Sequence, residues 1–381
     1  MKQHIIILFL FILHFSSWSQ KTIKTTTPCN DELLFKTPGR WLRHPLMPLN
    51  DLGSAHVGLN QAQVKELTNR LDAVHQLMLK IYPEPMAVDA VWNHTVGYGT
   101  FGEQFKYERN SQGILNPIAL KEKPVASFYY KSGFFRYYCN PNNSNEMWPG
   151  YPGETGTWLW VHANNLEQVA GVAHGEDMTI GGYPLHLRQP LNKLLGDFEL
   201  LGTESPTLST QYVRYVIVHR KGILPYIPVT RKQYLGQCIP HLTRQLNQWI
   251  KDIEEMPAGT SEEKDYRNDQ KKKQMESRDI ILKRYQDELE KTTKEGLLDA
   301  PAIIPIGIYD MGELLPIFVD EKEGWMLVIE NAEYMRKELP KYMPQFFVLV
   351  WTWNEWKPQA DIAKLIEEKF PFDMLQAMID K

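Results

Sequence analysis

The sequence predicts a mixed α+β protein of two lobes, each an amphipathic helix followed by antiparallel strands, with a long antiparallel helical hairpin in the second half. Three observations carry this prediction. Apolar residues spaced by three and four open each half, short β-branched and aromatic runs broken by Gly, Pro and Asn follow them, and capping boxes at Thr230 and Thr260 start two long helices.

In the first half, Val64, Leu67, Leu71, Val74, Met78 and Ile81 form one apolar face of a helix that stops before Pro83 and Pro85. Asn60 is its cap, Gln63 reaches back to close the box, and Leu59 faces Val64 as a hydrophobic staple. The helical period then vanishes. Ala90 to Val96, Ser127 to Tyr138, Thr157 to Ala163, Tyr183 to Leu187 and Gln211 to His219 read as strands.

In the second half, Thr230 caps a helix with Gln233 at the third position and Val229 against Tyr234. Leu235, Ile239, Leu242, Leu246, Trp249, Ile253 and Met256 form a heptad seam through Pro240, which is expected to kink the helix. Thr260 and Glu263 start a charged partner helix, so residues 231–295 fold back as a hairpin. The partner's first turns carry only Tyr266 and Met275 to cover Trp249, Ile253 and Met256, which marks those three as a binding strip.

Beyond Gly296, runs at Ile303 to Tyr309, Leu314 to Val319, Trp325 to Ile329 and Phe346 to Trp353 predict an antiparallel meander with a turn at Asp310 to Glu313. Phe346 to Trp353 is apolar on both alternating faces, the mark of a strand covered on each side or turned towards a partner. Two helices close the chain, one from Pro358 to Phe370 and one capped by Asp373 with Gln376.

Lys2 before the apolar run Ile5 to Leu13, then Ser17 and Ser19, has the form of a secretory signal peptide over residues 1–19. The expected order is a flexible mature N-terminus over residues 20–40, a β-rich lobe over 41–209 and a second lobe over 210–381. The protein is expected to be periplasmic or secreted and not membrane-spanning. A formal charge of −4 with no clustered basic stretch argues against a nucleic-acid partner. Cys29, Cys139 and Cys238 are the disulfide candidates: one pair and one leftover thiol, with the pairing left open.

No catalytic motif of known mechanics is present. Gly53-Ser54-Ala55-His56 lacks the setting of a nucleophile elbow, and Cys238 with His241 reads as a buried structural pair. His162, His174 and His186, with Glu176 and Asp177, are metal ligands in type only, so no metal and no cofactor is expected. The string from Glu146 to Trp160 unites stiff prolines, bare glycines and aromatic rings. Trp148 and Tyr151 could stack on sugars or grip a peptide, with Glu146 or Glu154 adding hydrogen bonds. Trp158 and Trp160 read as alternating core residues, and Trp92 to Phe105 as a second wall. The functional expectation is a non-catalytic binding or scaffolding protein whose partner is an envelope protein or a carbohydrate. The alternative is a secreted carbohydrate hydrolase working through a carboxylate pair.

Overall fold

The computed structural model of the chain describes residues 22–43, 59–98, 107–109, 115–117, 125–150, 157–166, 179–181, 183–188, 190–202, 211–305 and 316–381. The leader at residues 1–19, Ser54, His56, Tyr151, Glu154, His174, Glu176, Asp177 and the turn at Asp310 to Glu313 lie outside them.

The helices are α1 (Asp31–Lys36), α2 (Gln61–Ile81), α3 (Arg231–Glu255), α4 (Ser261–Lys294), α5 (Lys357–Lys369) and α6 (Phe372–Gln376). The first strands are β1 (Ile23–Lys24), β2 (Trp41–Arg43), β3 (Val88–Tyr98), β4 (Tyr107–Arg109), β5 (Leu115–Pro117) and β6 (Ala126–Cys139). They continue as β7 (Glu146–Pro149), β8 (Trp158–Ala163), β9 (Thr179–Ile180), β10 (Tyr183–Pro184), β11 (His186–Arg188) and β12 (Pro190–Leu195). The last six are β13 (Phe198–Gly202), β14 (Tyr212–Val218), β15 (Tyr226–Pro228), β16 (Ile303–Pro305), β17 (Gly324–Glu330) and β18 (Phe347–Trp353).

The mixed α+β class is what the chain adopts. A ten-stranded sheet runs β1-β7-β6-β8-β18-β14-β13-β12, with β3 also on β6 and β2 beside β3. Every pairing in it is antiparallel except β2 with β3. A four-stranded sheet is built on β17, which pairs with β11, β15 and β16.

Alternation along two strands explains how the layers stack. On β18, Phe347, Leu349 and Trp351 face a core shared with Leu67, Leu71 and Val74 of α2 and Ile362 and Ile366 of α5. Val348 and Val350 face the opposite way, into a core with Val328 and Met326 of β17 and Tyr226 of β15. On β17, Leu327 and Ile329 point away from that core, against Tyr234, Leu235 and Cys238 of α3 and Leu289 of α4. The order of layers is therefore helices, large sheet, small sheet, hairpin. The doubly apolar run Phe346 to Trp353 is the central strand covered on both faces.

Several expectations change here. The two sequence halves do not each keep their own strands: β18 joins β8 to β14, so residues on both sides of 209 share one sheet. The meander is likewise broken, because β16 pairs with β17 while β18 leaves for the large sheet, and residues 316–319 form no strand. Ordered structure is already present at Ile23, well before Trp41. Ile23 pairs with Met147, Asn30 caps α1 through the Leu33 amide at 2.9 Å, and Cys29 is bonded to Cys139. A threonine-rich string carries no apolar period to reveal this; the fixing contacts come from more than a hundred residues away. Cys238 is the leftover thiol and is buried.

The three capping boxes, at Asn60, Thr230 and Thr260, form with both arms present. The hairpin spans Arg231–Glu255 and Ser261–Lys294 with Pro240 inside α3. At the chain end, α6 begins at Phe372, and Asp373 falls in its first turn without capping it. Among the described residues no helix is long and apolar enough to cross a membrane.

Candidate functional site

Trp148 lies in a groove built from the Cys139 end of β6 and from β7. Tyr138 pairs directly with Trp148 and Cys139 with Met147, so Tyr138 and Trp148 share one face of the ribbon. Arg136, two residues before Tyr138, is on that same face. The chain returns past it at Gly150, whose amide donates to the Arg136 carbonyl at 2.7 Å. A Cβ there would stand 2.9 Å from that oxygen and 3.0 Å from Tyr138 Cε2, so a bare backbone is needed for the approach. The resulting groove encloses about 660 Å³ and is lined by Arg136, Tyr138, Pro141, Trp148, Pro149 and Gly150 beside the disulfide.

The Arg136 guanidinium lies close to two rings, 4.2 Å from the Tyr138 centroid and 5.7 Å from that of Trp356. Such ring contacts attract the guanidinium and restrain it before any ligand arrives. Its Nε is buried without a hydrogen-bond partner, and among the described residues the side chain has no ion pair. The opposite face of the ribbon is closed: Tyr137 and Met147 pack with Leu34 of α1, with Ile23, Leu33 and the disulfide around them. Among the described residues no carboxylate lines the groove. Glu146 sits two residues before Trp148, where it accepts from Asn140 Nδ2 at 3.0 Å.

Other polar clusters are neutralised from within. A second cavity of about 520 Å³, at the seam of the two sheets, contains Arg188, Lys193, Asp197 and Glu199. There Arg188 grips both oxygens of Glu199 and donates to Tyr226 Oη at 3.1 Å, Lys193 meets Glu367 at 3.1 Å and Lys221 meets Asp197 at 3.4 Å. Under α2, His75 stacks on Trp92 at 4.0 Å and meets Tyr130 Oη at 3.1 Å. Arg43 donates to His94 Nε2 at 3.2 Å, with Asp72 at 3.4 Å from the same nitrogen. Burial pushes His75 down to about 4 and lowers His94 as well, so both rings are neutral and serve to latch β2 and β3 onto α2. Trp92 is engaged in this cluster and does not line the groove, and residues 99–105 of the expected second wall lie outside the described residues.

The remaining expected residues divide as follows. Trp249 and Met256, 54% and 46% exposed, lie open on the distal hairpin with Ile253 half-buried between them. Past Ile250 no residue of α3 is buried, and on α4 only Thr292 is. Polar ties hold the two helices together there: Arg267 donates to the Met256 carbonyl at 2.9 Å and Arg278 to Asn247 Oδ1 at 3.1 Å. Trp158 and Trp160 are half-buried, with Lys131 Nζ 4.0 and 5.4 Å from their ring centroids. His162 on β8 and His186 on β11 are buried in different sheets, and burial pushes both down to about 4. Cys238 is pushed up to about 11 by burial, which keeps it a thiol and removes it as a nucleophile.

Sequence reading reached Trp148 and missed Arg136. One signal was present: a cation inside an otherwise apolar and aromatic strand, two residues before Tyr138. Comparison with protein-family models, with curated proteins and with solved structures finds no match to this chain.

Proposed function

We propose that the chain is an exported, non-catalytic binding protein of the cell envelope, with the Arg136–Trp148 groove as its ligand surface. The observation that carries this reading is the guanidinium of Arg136: a cation restrained by contacts to two rings, on a ribbon that also bears Trp148 and whose back is stapled by Cys29–Cys139. A surface rigid before binding loses little entropy on binding. Export is supported by the apolar run Ile5 to Leu13 after Lys2, and by a disulfide, which belongs to oxidising compartments.

The hydrolase reading draws less support, since a glycosidase needs two carboxylates facing one bond and the described lining of the groove holds none. A second contact surface has its own observation, the exposed Trp249 and Met256 on a stalk held together by polar ties.

The test is retention of the mature protein on washed envelope material from the source cells, with Trp148→Ala alongside and sugar release measured in parallel. The expected result is retention that falls at least about tenfold in the variant, with no release of reducing ends. Equal retention of both proteins, or steady release of reducing ends, overturns the reading. A photo-crosslinker at Trp249, compared with one at Lys272 on the charged face, tests the stalk. One defined product at Trp249 alone is expected, and matching patterns at the two positions remove the stalk from the account.

A further inference from the structure

We propose that the ligand of the groove is an acidic saccharide, whose carboxylate is taken by Arg136 while a sugar ring lies against Trp148 and Tyr138. The inference rests on the binding reading above and adds the chemical class.

Three features lead to it. The first is charge. Arg136 is the one cation lining the groove among the described residues, and no described carboxylate lines it to compensate. Arg188 in the seam cavity is in contrast already closed on Glu199. A guanidinium forks its donors to match a carboxylate, and such a charge-assisted pair is about twice as strong as a neutral hydrogen bond. The chain carries a formal charge of −4, so its overall field repels anions and the attraction has to be local.

The second is the pair of rings. Tyr138 and Trp148 are directly opposed on neighbouring strands, and Arg136, two residues before Tyr138, brings its guanidinium over the Tyr138 ring. Flat rings with partly wet edges suit the C–H faces of a sugar, which present apolar surface rimmed by hydroxyls. The guanidinium lies 4.2 Å from the Tyr138 centroid, so the positive charge borders the rings directly, as a carboxylate borders the sugar ring that bears it.

The third is shape. The groove is open, and its volume of about 660 Å³ lies within the range of roughly 300–1,000 Å³ that small ligands occupy. It has room for a short oligosaccharide, and its described lining forms no enclosed apolar wall of the kind a lipid or a buried side chain would need.

The experiment is calorimetric titration of the full mature chain, disulfide intact, with three probes: a galacturonic acid trimer, its methyl ester and a neutral galactose trimer. The acid form is expected to bind about tenfold more tightly than the ester, the scale of one partly exposed charge-assisted pair, with the advantage shrinking at high salt. Arg136→Gln is expected to abolish the preference, and Trp148→Ala to weaken acid and ester in parallel. The acid-to-ester ratio on the unaltered chain needs no variant, so the proposal is decided even if Arg136→Gln misfolds.

Equal affinity for acid and ester overturns it, as does a preference that survives Arg136→Gln, or tighter binding of a glycerol-phosphate oligomer than of the uronate. If none of the saccharides binds while the protein still adheres to envelope material, the saccharide assignment fails and the binding reading stands. If neither interaction is seen, both fail.

Discussion

Gly150 faces Arg136 across the ribbon, and its amide donates to the Arg136 carbonyl at 2.7 Å. The residue without a side chain and the residue with the longest one share a single pair position. The space left by the first is what lets the returning backbone lie against the carbonyl of the second and the ring of Tyr138.

Gly150→Ala is expected to push the returning chain outward, because its Cβ meets a carbonyl oxygen at 2.9 Å and a ring carbon at 3.0 Å. A cost of about 1–3 kcal/mol, typical of overpacking, is expected in urea unfolding, with weaker retention on envelope material. An unchanged midpoint would show that the return strand moves freely.

Cys29→Ser, or reduction of the disulfide, should free the segment that bears β1 and α1. The bond closes 110 residues, and its removal is expected to lower stability by about 2–5 kcal/mol. Retention should fall with it, because Leu34 and Ile23 back the ribbon. Thiol titration of the folded, unreduced chain should find no reactive group, since Cys238 is buried and its thiol is pushed up to about 11; denaturant should release one.

Acid should weaken the fold in a defined window. Burial moves His75, His162 and His186 from 6.5 to about 4, so the unfolded chain takes up protons between those values that the folded chain refuses. Stability is therefore full above about pH 6.5 and falls as the pH drops towards about 4. Among the described residues His186 has no hydrogen-bond partner at either ring nitrogen, so His186→Leu is expected to be neutral or stabilising and to flatten the slope. Urea midpoints read across this range check both points.

Thr230→Ala removes the oxygen that accepts from the Gln233 amide at 3.1 Å at the start of α3. A loss of about 1 kcal/mol with binding retained is expected. A large binding defect at unchanged stability would instead make Thr230 part of a ligand site.

The distal stalk should be dispensable for folding. Replacing residues 251–277 by a short glycine-rich link is expected to preserve one cooperative transition, because Leu246 and Ile250 are the last buried residues of α3. A cut extending to Lys291 also removes Tyr285 and Leu289, which pack into the hairpin-side core, and should destabilise the protein measurably. A collapse of cooperativity with the shorter deletion would make the stalk a structural member.

Local and distant information divide this protein cleanly. The helices were legible because their signals act within one or two turns: Asn60 with Gln63, Thr230 with Gln233 and Thr260 with Glu263 each close a capping box between residues three apart. The doubly apolar Phe346 to Trp353 run likewise announced a covered strand. The partners of that strand did not show, because pairing β18 with β8 and β14 joins residues far apart in sequence, and alternation says which face is apolar but not what lies beside it.

The groove follows the same division. Trp148 stood out for its glycine and proline neighbours, whereas Arg136 gained its meaning only from Tyr138, Trp356 and Gly150, brought to it by the β6–β7 ribbon and by the turn into α5. The sequence alone determined the α+β class, the hairpin and the aromatic character of one loop. Tertiary structure decided which cysteines pair, which strands share a sheet and which cation meets the rings, because each of these depends on contacts between segments whose separation along the chain carries no local pattern.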